Sequence, residues 1–237
     1  MAQLTAIDRL HPALIATIIF VIASANLIAH YAHGRLIILV IPTTALLLGA
    51  AALISGLHWR DLGATLPQLR AGLPWAAAVV AIVVVVIGVA VAIPPLREFF
   101  LEERYRSART ALLAAFVVIP LQTVLPEELL FRGVLQGALM RTWSAPVALS
   151  VGAVLFGLWH ITSSLNLSGS NQGLRDAVGG GGAGRIAGVV LAVVATTAAG
   201  FVFGWLRYKT DSLLPPIALH WAINATGALG AALVWRL

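Results

Sequence analysis

The chain has 237 residues, 60% hydrophobic and 10% charged, with 15 Lys and Arg against 9 Asp and Glu for a net charge of +6. Soluble domains carry about 25% charged residues, and a chain this apolar would present large sticky patches to water. The composition therefore excludes an ordinary soluble domain and predicts an all-α, polytopic transmembrane bundle with seven or eight membrane helices.

Apolar runs of roughly 17–25 residues mark membrane-spanning helices. The first extends from Pro12 to about His30, and Arg9 with Ala23-Ser24-Ala25 loosely imitates a secretory signal; the spans that follow favour a retained anchor. A second run covers Leu36 to Leu57 and a third Pro74 to Pro95, with the amphipathic segment Trp59–Leu73 expected on the membrane surface between them. Leu96–Arg109 is a charge-dense loop. Thr110–Met140 is too long for one simple span, and Pro126 either kinks it or divides it in two. Ala145–Ser164, Arg185–Leu206 and Ser212–Trp235 complete the set. The run Gly179–Gly182 lacks the lysine and spacing of a phosphate loop and reads as a flexible linker.

The basic residues lie mostly between these runs, where they match lipid headgroups, and they divide too evenly to set the orientation. No basic stripe with interleaved aromatics suggests nucleic acid. There is no cysteine, which excludes disulfides, thiolate metal sites and cysteine nucleophiles. Membrane lipids are the expected surroundings.

Ionisable residues within a span cost about 2.5–3.5 kcal/mol each on insertion scales, so their positions are informative. They gather in three places. Pro126-Glu127-Glu128-Leu129-Leu130-Phe131-Arg132-Gly133 puts two acids at a helix start, where the dipole favours them. At about 100° per residue, Glu128 and Arg132 share a face and pair, whereas Glu127 lies about 140° from Arg132 and is left free. Phe156-Gly157-Leu158-Trp159-His160 brings a histidine to the end of a span. His220-Trp221-Ala222-Ile223-Asn224 puts a histidine and an amide on one face of the last. Each has a bland reading: an inert ion-pair network, a packing histidine, interhelical hydrogen-bond glue. As a set they supply a base for water and donors for an oxyanion.

Glu127-Glu128-x-x-x-Arg132, Phe156-x-x-x-His160 and His220-x-x-x-Asn224 resemble the three signature motifs of the CAAX-protease and bacteriocin-processing (CPBP, or Abi) intramembrane peptidases. The flanking Phe131-Arg132-Gly133 and Gly204-Trp205-Leu206-Arg207 agree, and the likeness covers about Ala111 to Gly230. It divides the chain into N-terminal helices with the charged loop (1–109) and a catalytic membrane core (110–237). The resemblance implies an intramembrane endopeptidase in which Glu127 acts with His160 on water. His220 and Asn224 would stabilise the oxyanion, and Glu128 with Arg132 would brace the helix. The family's naming as metalloproteases also implies a zinc held by Glu127, His160 and His220, a plausible His₂Glu set, although the H-E-x-x-H pattern is absent.

An Arg-, Ala- and Val-rich composition suggests a GC-rich bacterial genome and hence the bacterial plasma membrane. Bacteria generally lack prenylation, so the expected substrate is a membrane-associated peptide or the tail of a membrane protein. Two further readings stay open. One is a non-catalytic scaffold or regulator on the same fold; the other is a transporter or proton relay, disfavoured by the lack of an internal repeat.

Overall fold

The computed structural model describes residues 12–165 and 172–237. Arg9 and part of the polar segment after Leu165 lie outside the described residues. The described residues are helical with no strand. Among the described residues six helices are long and apolar enough to cross a membrane: α1 (Pro12–Tyr31), α2 (Leu36–Ile54, which opens as the 3₁₀ turn Arg35–Leu39), α3 (Leu66–Ala92), α4 (Ala108–Met140), α6 (Gly181–Thr210) and α7 (Leu214–Val234). Between α4 and α6 stands the shorter apolar helix α5 (Ala145–Trp159). Their outward faces are studded with exposed Leu, Ile, Val and Phe, as lipid contact requires. The protein is an integral membrane protein.

Local chemistry explains most boundaries. α3 begins at Thr65, whose backbone N–H and hydroxyl both donate to Gln68 Oε1 at 3.1 and 2.7 Å, so that the Gln68 side chain folds back over the first turn as in a capping box. The helix starts well before Pro74, which lies inside it. Leu66–Leu73 is thus the first part of a span rather than a surface segment, because the cap at Thr65 outweighs the proline. α5 and α7 both start with proline in their first turn, where a missing N–H costs nothing. The glycine run also differs from a plain linker. Gly181 and Gly182 open α6, with Gly179 at φ 81° and Gly181 at φ 71°, a left-handed entry that glycine adopts without a Cβ clash.

α4 carries the feature that matters most for the site. Pro120 and Pro126 each remove an N–H donor, and neither ends the helix. Instead the backbone widens into π-helical turns over Ala114–Val124 and Leu129–Leu135, leaving the single α-helical turn Leu125–Glu128 between them. The Leu125 N–H reaches back to Pro120 O, and the Gln136 N–H to Phe131 O. Such widened turns occur frequently at functional sites.

α6 packs along α5, and α7 along α3 and the wide part of α4. Small residues make the close approaches: a Cβ on Gly157 would collide with the Thr197 hydroxyl, and one on Gly200 would stand 3.1–3.2 Å from the Phe156 ring and the Ala153 backbone. Gly200 and Gly204 therefore seat helices of this same chain. The main core runs from Ile15, Ile18 and Ile22 of α1 through Leu130, Val134 and Leu139 of α4 to Phe156 and Phe203. It surrounds the polar residues of α4.

Candidate active site

Glu127 and Glu128 sit on the α-helical turn between the two widened stretches, at 7% and 0% exposure. Adjacent in sequence, they differ in what holds them. Glu128 Oε1 accepts Arg132 Nη1 at 3.0 Å and His220 Nδ1 at 2.8 Å. The buried Oε2 atoms of both glutamates lack a partner among the described residues, and Glu127 makes no hydrogen bond there at all. Buried polar atoms are nearly always partnered, so an orphan on a carboxylate asks for an explanation.

The widened backbone modifies the expected geometry. Where hydrogen bonds run from i to i+5, the residue five positions on returns over the first, and the rule of about 100° per residue fails. Arg132 accordingly lies in the field of both Glu128 and Glu127, although it bonds to Glu128 alone. Aromatic rings replace its water: the guanidinium lies 3.9 Å from the Phe156 ring centroid, 4.8 Å from Phe203 and 5.8 Å from Phe131. These faces attract a desolvated cation. Its Nη2 reaches Gly200 O at 3.4 Å.

Both histidines border the same rings. His220 stacks on Phe203 at 5.2 Å and meets Phe156 edge-on at 6.0 Å, while His160 meets Phe156 at 4.7 Å. His160 ends α5, and its Nδ1 lies 2.8 Å from Phe156 O. A carbonyl only accepts, so Nδ1 carries the proton and Nε2 is the free nitrogen. Ser163 and Ser164 donate their hydroxyls to His160 O at 3.1 and 2.5 Å, closing the break between α5 and the short turn Ile161–Ser164. The span expected to run on to Ser164 is thus interrupted at His160 itself. Glu127, His220 and Arg132 are the ionisable groups whose charge acts on His160. Glu127, His160, His220, Glu128 and Arg132 therefore share one electrostatic neighbourhood in the middle of the bundle. No hydrogen bond joins Glu127 to either histidine among the described residues. Asn224, one turn beyond His220, is half-buried and likewise makes none.

Residues 109–226 match the family model described as Rce1-like, type II CAAX prenyl endopeptidase Rce1-like. The chain belongs to this family. It is a CAAX-protease-like membrane hydrolase, in agreement with the resemblance drawn from its three motifs. No curated protein and no solved structure matches the chain.

For this family member two connections were beyond the reach of sequence. The His220–Glu128 bond spans 92 positions, and it makes Glu128 a bridge between Arg132 and the third motif instead of a partner of Arg132 alone. The other is Asn26 on α1, 5% exposed. Its Nδ2 donates to Trp159 O at 3.0 Å, and its Oδ1 accepts Thr162 Oγ1 at 2.7 Å. An amide within an otherwise apolar span was the available signal. Beside this contact lies an apolar cavity of ≈ 350 Å³ between α1, α4 and α5, bordered by Ile22, Asn26, Phe131 and Trp159.

The zinc implied by the family's naming was compared with these positions. Among the described residues no three His, Asp or Glu side chains are grouped as a metal centre. Each histidine commits Nδ1 to a neighbour, which leaves Nε2 as the nitrogen available to a metal. As they stand, these side chains are not gathered into a His₂Glu metal site among the described residues.

Proposed function

We propose that the protein is an intramembrane endopeptidase that hydrolyses a peptide bond of a membrane-associated peptide or protein, in a bacterial plasma membrane, with Glu127 as the base. The observation that carries this reading is the contrast between neighbouring carboxylates. Glu128 is held through Oε1 by Arg132 and His220, its Oε2 staying unpartnered, whereas Glu127 is buried beside it with no hydrogen bond among the described residues. A carboxylate held without a partner is poised to take a proton from water.

In the proposed reaction, Glu127, assisted by His160 Nε2, accepts a proton as the water oxygen attacks the scissile carbonyl carbon. The resulting oxyanion takes hydrogen bonds from the Asn224 amide and from Nε2–H of a doubly protonated His220, whose Nδ1–H is held by the Glu128 carboxylate. Collapse of the tetrahedral intermediate breaks the C–N bond, and the proton held by Glu127 passes to the departing nitrogen. The products are a carboxylate and an amine. Arg132 fixes Glu128, and so acts on the reaction through His220.

Cleavage of fluorogenic membrane peptides, prenylated and unprenylated, by purified protein tests the assignment. Glu127→Ala and His160→Ala are expected to lower kcat by about 10²–10⁴-fold with the helical signal retained. Wild-type turnover in both variants would sink the site. Preference between the two peptides decides whether the substrate resembles that of a prenyl endopeptidase. Elemental analysis settles the metal: stoichiometric zinc, lost with activity on chelation, would show that Glu127, His160 and His220 close around an ion and would replace this mechanism.

A further inference from the structure

His160 stands where α5 stops, with its N–H on Gly157 O at 3.0 Å and its C=O accepting the Ser164 N–H at 3.1 Å. It terminates α5 and is followed by a separate single turn, so no continuous helix fixes its direction. Besides the local bonds from Ser163 and Ser164, one contact that spans this break comes from elsewhere in the chain. Asn26 of α1 donates from Nδ2 to Trp159 O, immediately before His160, and accepts Thr162 Oγ1, two residues after it. Trp159 O belongs to the last turn of α5, where carbonyls lack a following turn to bond them. A single buried amide thus ties both sides of His160 to the first membrane helix. Asn26 is itself anchored, since its own carbonyl accepts His30 Nδ1 at 2.9 Å. Ile15, Ile18 and Ile22 seat the same helix in the core.

We infer that Asn26 is a positioning residue for His160, so that α1, which lies outside the family-matched region of 109–226, is part of the working active site. The inference rests on the assignment of His160 to the reaction. Its physical basis is the steep dependence of catalysis on alignment: a displacement of about 1 Å costs on the order of 10²-fold in rate. Loss of the clamp leaves the His160 side chain chemically intact and removes the tie to α1 that fixes where this end of α5 stands. The defect therefore belongs in kcat and leaves substrate binding alone.

The experiment measures kcat, KM and melting temperature for Asn26→Ala, Thr162→Val and Thr162→Ser, with His160→Ala alongside, on the same fluorogenic peptide. Asn26→Ala is expected to lower kcat by about 10–100-fold with KM within about twofold. Thr162→Val, which keeps shape and removes one of the two links, gives a smaller loss of about 3–10-fold. Thr162→Ser restores the hydroxyl and returns kcat to within about twofold of wild type. The Thr162 pair carries the test if Asn26→Ala does not fold. Several results overturn the inference. A lowered melting temperature with wild-type kcat makes Asn26 interhelical glue and nothing more. A raised KM with kcat kept assigns it to substrate contact in the adjoining cavity. Equal kcat for the valine and serine variants removes the hydrogen bond from the explanation. Wild-type turnover in His160→Ala overturns both this inference and the proposed site. Loss in His160→Ala with wild-type kcat in the Asn26 and Thr162 variants overturns this inference alone.

Discussion

Arg132 and Arg207 are both buried in membrane helices, and each holds a carboxylate four residues away, at 3.0 and 3.1 Å. Their surroundings differ. Arg132 and Glu128 are 3% and 0% exposed, enclosed by Phe131, Phe156 and Phe203, and the carboxylate goes on to bind His220. Arg207 is 5% exposed, but its partner Asp211 is 59% exposed. The Arg207 Nη2 also donates to Asp61 O at 2.8 Å, Gln68 bridges Arg60 O and Asp211, and Leu213 N–H donates to Gly63 O at 2.9 Å. The same i, i+4 ion pair thus orients a histidine in the middle of the bundle and latches a loop at its rim. What separates the two is whether the carboxylate has a further charged or titratable partner, and whether water can replace that partner.

The sharpest way to break the comparison is to remove each acid. Glu128→Ala strands Arg132 among aromatic rings without its counter-charge, which is expected to cost about 3–5 kcal/mol and to uncouple His220 as well. Thermal or denaturant unfolding in detergent measures the first effect and peptide turnover the second. A variant as stable as wild type would show that the aromatic cage alone holds the cation. Gly63→Ala probes the rim at intermediate strength. Gly63 has φ 70°, and a Cβ there would run into the Arg207 guanidinium. A loss of about 1–3 kcal/mol is expected from overpacking, with kcat nearly unchanged in the protein that remains folded; a large loss of kcat would tie the rim latch to the chemistry. Asp211→Asn is the mildest change. Exposed ion pairs contribute about 0–1 kcal/mol and are screened by salt, so its melting temperature should approach that of wild type as salt rises. A persistent deficit in high salt would place this pair in the same class as Glu128–Arg132.

Sequence reading went furthest where the physics is local. Span positions follow from apolar run length, and the Glu128–Arg132 contact follows from helical spacing. It went astray where two local signals compete. Pro74 looks like a helix start, yet Thr65 and Gln68 cap the helix two turns earlier. Nothing in Leu158-Trp159-His160-Ile161 announces a break, which depends on the hydroxyls of Ser163 and Ser164 turning back to His160 O. The widening of α4 was half visible, since prolines at 120 and 126 foretell lost hydrogen bonds without saying whether the backbone kinks, splits or expands.

By itself the sequence determined that this chain lives in a membrane, which residues stand there against the cost of burial, and the family to which its motifs belong. These are properties of composition and of spacing within one helix, where each residue carries its own solvation energy and fixed angular step. Only the tertiary structure decided how the glutamate pair is divided. Glu128 is held through one oxygen by Arg132 from its own helix and by His220 from 92 positions away, Glu127 is left without a hydrogen bond among the described residues, and Asn26 reaches the far side of His160 from the first span. Those contacts depend on which helices pack together, and every apolar span offers lipid or a neighbour much the same surface until the bundle is closed.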